Sequence, residues 1–240
     1  MKGEDSGIYV VGAASGEVER VVDLPASDEV FPRAVGNAVV FSSDVNGDFG
    51  IFLYDGDTSL VYDPPADQLW PSLSPSGDYV AFVTFEDDSG GNLGVYDRRG
   101  RYVQVWYDTL PLSWVTFVDD SLVLTVRGGS LQIFSLASLM WESLIDVGDV
   151  LYPKVSPSGD KLALVEVGDS FRVVITSYPD GGNRKVLRRF SDSVRGLAWS
   201  PDGDYVALGY GDRVYVLDTT GSLYLLRDSL RGVYVGDWVR

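Results

Sequence analysis

The chain has 240 residues, neither cysteine nor histidine, and a formal net charge of −16. These values exclude disulfides, thiolate metal sites and histidine-based nucleophilic catalysis, and they disfavour binding to nucleic acid or an anionic membrane, which needs a concentrated basic surface. No apolar run is long enough to cross a bilayer, and Met1 to Gly7 lacks the apolar core of a signal peptide, so a soluble, cytoplasmic protein is expected. Four Asn and three Gln in the whole chain fit a heat-adapted source.

From the N-terminus, Ile8 to Gly12 reads as a strand closed by a glycine turn, and Glu17 to Val22 as a charged outer strand. Asp28 then opens an inner pair, followed by Ile51 to Gly56 as a third strand and Ser59 to Tyr62 as an outer one. Asp67 opens a second copy with the hairpin Ser74-Pro75-Ser76-Gly77-Asp78-Tyr79-Val80-Ala81-Phe82, then Leu93 to Asp97 and Arg101 to Trp106. Asp108 opens a less regular third, ending in Leu131 to Phe134 and Met140 to Ile145. Asp149 leads to the hairpin Ser156 to Leu164, Val173 to Thr176 and Arg184 to Arg188. Asp192 leads to Ser200 to Leu208, Val214 to Asp218 and Leu223 to Arg227. In each hairpin Pro presets the turn and Gly supplies a positive φ. Charges such as Glu17, Glu19, Arg101, Lys185 and Arg227 protect the outer edges.

Asp228 opens a sixth copy, where Tyr234-Val235-Gly236-Asp237-Trp238-Val239 matches Ala34-Val35-Gly36-Asn37-Ala38-Val39. The six aspartates are separated by 39, 41, 41, 43 and 36 residues, the period of radially repeated four-stranded units. The expectation is an all-β, six-bladed β-propeller of four-stranded antiparallel blades, closed by N- and C-terminal strands sharing one blade. Its blades fall near 30–63, 70–108, 111–147, 152–190, 194–228, and 232–240 plus 7–24, within a single domain 1–240.

The strings PSLSPSGDYVAF, PKVSPSGDKLAL and LAWSPDGDYVAL resemble the WD-like repeats of the TolB propeller family, and FSSDVNGDFGIFLYDGDT resembles half of one of its blades. The resemblance covers essentially the whole chain. It implies a propeller that serves as an interaction domain, and it extends to the substrate-gating propellers of prolyl oligopeptidases. No G-x-S-x-G nucleophile turn is present, so no peptidase activity is expected of this chain itself.

Arg33, Lys154, Arg195 and Arg231 fall at the start of inner strands, where they would line a channel mouth and hold an acidic partner. Ion pairing with the nearby aspartates is the competing use. Phe31, Trp70 and Tyr152 precede Pro32, Pro71 and Pro153; Trp70 and Tyr152 are the candidate apolar anchors. Asp44, Asn46 and Asp48 alternate like calcium ligands, but Phe49 and Phe52 stand where a loop Gly and a later carboxylate belong, so a β-turn is favoured. Trp114, Trp199 and Trp238 are assigned to packing between blades, and the six repeated aspartates to turn hydrogen bonds. No cofactor is expected. The favoured function is a non-catalytic protein- or peptide-binding scaffold; the alternatives are a carboxylate-based glycoside hydrolase or a detached substrate-gating propeller of a peptidase.

Overall fold

The computed structural model describes residues 6–86, 90–230 and 233–239. The chain divides by compactness into two units, 1–120 and 121–240. All regular structure among the described residues is β.

Unit 1 begins with a two-stranded antiparallel sheet, β1 (Ile8–Val11) and β2 (Val18–Val22). Next come two four-stranded antiparallel sheets in sequential order. The first contains β3 (Glu29–Val35), β4 (Ala38–Ser43), β5 (Gly50–Tyr54) and β6 (Thr58–Tyr62); the second contains β7 (Gln68–Leu73), β8 (Tyr79–Thr84), β9 (Asn92–Asp97) and β10 (Tyr102–Trp106). The unit boundary falls inside the third such sheet, after β11 (Leu112–Phe117) and before β12 (Leu122–Arg127), β13 (Ser130–Ser135) and β14 (Met140–Asp146). Unit 2 holds two more. One contains β15 (Val150–Val155), β16 (Lys161–Glu166), β17 (Phe171–Ser177) and β18 (Lys185–Phe190); the other contains β19 (Val194–Trp199), β20 (Tyr205–Tyr210), β21 (Arg213–Asp218) and β22 (Leu223–Arg227).

The period-2 pattern of β4 shows why the sheets stack. Ala38 and Val40 point to one side and pack with Ile51, Leu53, Leu73, Val80 and Phe82, joining the first four-stranded sheet to the second. Val39 and Phe41 point to the other side and pack with Phe52, Ile8 and Val22, joining it to the β1–β2 sheet. Because both faces are covered, β4 is buried throughout and its sequence is an apolar run before Ser42-Ser43. Gly94 belongs to the same packing: a Cβ there would lie 2.4 Å from the Phe82 ring.

Three inner hairpins repeat one turn in detail. The Ser74, Ser156 and Ser200 N–H groups donate to the carbonyls of Tyr79, Lys161 and Tyr205 at 2.8–2.9 Å, while Gly77, Gly159 and Gly203 donate back to the serine carbonyls. Those glycines sit at φ 73–76°, a region a side chain rarely enters. The outer strands are partly exposed, and β6 and β10 carry no charged residue at all.

The expectation of six blades is corrected: the described residues form five four-stranded blades plus the β1–β2 pair. Residues 233–239 contain no strand, so the expected closure of one blade by N- and C-terminal strands is not formed. A ladder needs a paired neighbour, and Gly236 and Asp237 are poor strand formers. This segment instead crosses the backbone of β19, where Val235 donates its N–H to the Arg195 carbonyl at 3.1 Å.

Candidate functional site

Four of the inner strands break register at the same place: between Val30 and Arg33, Leu69 and Ser72, Leu151 and Lys154, and Arg195 and Leu197. In each break one residue turns into the left-handed region, as the extra residue of a bulge does. These residues are Phe31 (φ 54°), Trp70 (54°), Tyr152 (56°) and Gly196 (78°), and Trp114 of β11 adopts the same conformation (56°). A large side chain costs about 1–2 kcal/mol in this region. Phe31, Trp70 and Tyr152 are each followed by a proline, which has no N–H to give to a ladder and so suits a break in pairing; Trp114 and Gly196 take the same conformation without one.

In unit 1 the corners meet. The rings of Trp70 and Trp114 lie 4.7 Å apart, Phe31 stands edge-on to Trp114 at 5.9 Å and 6.2 Å from Trp70, and Phe85 stands edge-on to Trp70 at 5.8 Å. All four side chains are half-buried. The Trp70 indole nitrogen is buried and has no hydrogen-bond partner, an arrangement that costs desolvation without return.

In unit 2 the corresponding corner is closed by the chain itself. Tyr152 meets the Tyr234 ring edge-on at 5.5 Å. Burial pushes the Tyr152 hydroxyl above its ordinary pKa, against the opposing pull of the Gly196 backbone and the Arg195 charge. Lys154 is buried and its ammonium is ion-paired to Asp237, with side chains 11% and 23% exposed. At the next corner a Cβ on Gly196 would fall 1.8 Å from the Val235 carbonyl oxygen. The segment at 233–239 thus occupies the space that a side chain fills elsewhere.

Of the sequence-derived site residues, Trp70 sits in the aromatic cluster of unit 1, and Tyr152, Lys154 and Arg195 sit together under residues 234–237 of unit 2. Arg33 is half-buried two residues beyond Phe31, facing Val40 in the ladder. Arg231 lies outside the described residues. Trp199 is buried as expected, its indole donating to the Lys154 carbonyl at 2.9 Å. Trp114, assigned above to packing between blades, and Phe85, which carried no assignment, join the cluster around Trp70. Trp114 occupies the repeat position of Trp70 and Tyr152, but Val115 follows it instead of Pro, which hid the equivalence.

The calcium-like turn is committed to loop bonds. Asp44 accepts the Asp28 N–H at 2.7 Å, and Asn46 donates to Asp63 at 2.7 Å; among the described residues no cluster of acids suits a metal. Asp108 and Asp228 cap their own loops, accepting the N–H of Leu110 at 3.0 Å and of Ser229 at 2.7 Å, whereas Asp67 accepts the Phe49 N–H of the β4–β5 loop at 3.1 Å. Glu29 is a buried acid whose pKa is raised by desolvation, yet its oxygens accept from Ser27, Ser43 and the Leu24 N–H. It therefore ties its loop to β4. An open cavity of about 490 Å³ lies beside Tyr210, Arg213 and Tyr215. There Arg213 is held by Asp228 at 2.9 Å.

No protein-family profile matches the sequence, and no curated protein sequence matches it. Solved structures do. TolB from Acinetobacter baumannii is 18% identical, with a TM-score of 0.76 over 93% of this chain and 60% of that one, so the chain spans less than two thirds of that protein. A putative TolB from Agrobacterium tumefaciens is 20% identical, with a TM-score of 0.68 over 87% and 85%. An oligogalacturonate lyase in complex with manganese is 14% identical, with a TM-score of 0.62 over 92% and 74%. At these identities the likeness is one of fold: the chain has the four-stranded antiparallel blades of a TolB-like β-propeller.

Proposed function

We propose that the chain is a non-catalytic binding module that takes a protein or peptide on the left-handed aromatic corners of its inner strands. The recurrence of strained aromatics at Phe31, Trp70, Trp114 and Tyr152 carries this reading. Strain kept at one repeat position over several blades is a mark of use, and half-buried aromatic clusters supply most of the energy of peptide recognition. Residues 233–239 show how an irregular segment sits on such a corner, with one backbone hydrogen bond to Arg195 and an edge-on ring at Tyr152. Arg33, two residues beyond Phe31, would add a charge contact beside the unit 1 cluster.

The test is a phage-displayed peptide selection on the whole chain, followed by affinity measurement on Trp70→Ala and Trp114→Ala. A loss of about thirtyfold or more is expected for each, the scale of an interface hot spot, with circular dichroism unchanged. Selected peptides that bind both variants at the original affinity would refute the corner as the site. Replacing Arg33 by Gln should weaken acidic ligands only, and more at low salt.

A further inference from the structure

The β1–β2 sheet differs from every other sheet in where it stops. In the five blades the strand preceding the outer one, for example β5 or β9, is hydrogen-bonded on its inner side to a second strand. Those second strands are β4, β8, β12, β16 and β20, and their middle four residues are buried in every case. β1 stands in the corresponding place relative to β2, yet among the described residues it is hydrogen-bonded to no other strand.

The consequence is visible in exposure. β5 and β9 each bury their first four residues, whereas in β1 Tyr9 is 51% and Val10 43% exposed. Ile8 and Val22 remain anchored on Val39, Phe41 and Phe52, so the strand is held in extended form beside a lane that no described strand occupies. Ile8-Tyr9-Val10-Val11 carries neither charge nor proline, two of the usual devices that blunt an edge; the bulge between Ile8 and Tyr9 confines the regular ladder to Tyr9–Val11.

We infer that β1 is a docking edge for an extended strand of a partner protein, added by backbone hydrogen bonding in the lane that a second strand fills elsewhere. The lane specifies the partner's chemistry. Three of its five residents in this chain read Tyr79-Val80-Ala81-Phe82-Val83, Lys161-Leu162-Ala163-Leu164-Val165 and Tyr205-Val206-Ala207-Leu208-Gly209, apolar on both faces with a small third residue; β4 and β12 hold Val40 and Leu124 at that place. The half-blade and its following loop carry Glu17, Glu19, Asp23 and Asp28 against Arg20 alone, and Arg20 is bound to Asp23. The partner strand is therefore flanked by Lys or Arg. This edge is separate from the aromatic corners and does not depend on them.

The probe is a synthetic peptide carrying the sequence of Tyr79 to Thr84 with two lysines at each end, added to the whole chain. Fluorescence polarisation should show saturable binding, and amide exchange at Tyr9 to Val11 should slow by about tenfold or more. N-methylation of alternate peptide amides, which removes ladder donors without touching the protein, should abolish binding, and Val10→Asp should weaken it by about tenfold. Trp70→Ala should leave it unchanged, so failure here and failure of the corner site are read separately. Absence of binding, binding without protection of β1, or loss of binding in Trp70→Ala would each overturn the inference. Protection of β1 in a dimer without peptide would also overturn it, by making a second copy the occupant.

Discussion

At the corner of β7 the left-handed position holds Trp70, packed among Phe31, Phe85 and Trp114; at the corner of β19 it holds Gly196, covered by the backbone of Val235. The two corners share a register break and the sign of φ, so the repeat conserves a backbone path and leaves its filling to vary. One corner is filled by side chains that remain partly open to a partner, the other by the chain's own backbone. The left-handed turn is thus a socket, and the residue in it decides what is received.

The harshest way to break the comparison is to give the β19 corner a side chain. Gly196→Ala puts a methyl group into the Val235 carbonyl at a positive φ and should destabilise the fold by about 3 kcal/mol, displacing 233–239. Urea denaturation and limited proteolysis near Tyr234 report both effects; an unchanged midpoint would mean that the segment is not seated there. Next in size is Lys154→Met, which leaves Asp237 without its cation. Because Asp237 is partly exposed and can recover water, the expected loss is about 2 kcal/mol, below that of a fully buried pair. Adding Asp237→Asn should recover part of it in a double-mutant cycle.

A gentler change sharpens the other corner. Trp70→Phe keeps an aromatic ring but removes the buried, unpartnered indole N–H, so stability should stay level or rise by up to about 1 kcal/mol. A clear loss in thermal denaturation would show that the nitrogen is satisfied in solution. The smallest effect serves as a control outside both corners. Desolvation raises the Glu29 pKa above its ordinary 4.5, so this acid's contribution to stability is full below that value and declines as pH rises through the folded-state pKa. Glu29→Gln should flatten the slope of the urea midpoint just above pH 4.5, and a slope identical to that of the parent chain would count against the raised value.

The blades were legible in the sequence because their turns are written in local chemistry. Ser74, Pro75 and Gly77 fix a hairpin within a few residues, and the copies at Ser156 and Ser200 make the period plain. Phe31, Trp70 and Tyr152 stood out through the prolines that follow them, but their left-handed conformation did not. Trp114 reaches the same conformation without that marker. The sixth blade was overread because Tyr234 to Val239 repeats the letters of Ala34 to Val39, whereas a strand is defined by a neighbour, which letters alone do not supply. The Lys154–Asp237 pair joins residues 83 apart. Local spacing instead linked Lys154 to Asp149, whose backbone carbonyl accepts the Val167 N–H.

The absence of charge on β6 and β10 has a physical cost in concentrated solution. Two such rims offer one another bare amides and carbonyls, and nothing in Thr58 to Tyr62 or Tyr102 to Trp106 repels a like strand. What keeps neighbouring molecules apart is the monopole, −16 over the whole chain, acting across roughly 8–10 Å at physiological ionic strength. Colloidal stability is therefore delegated from the strand edges to the solvent's ions, and brine or acid that quenches the monopole lets the rims associate.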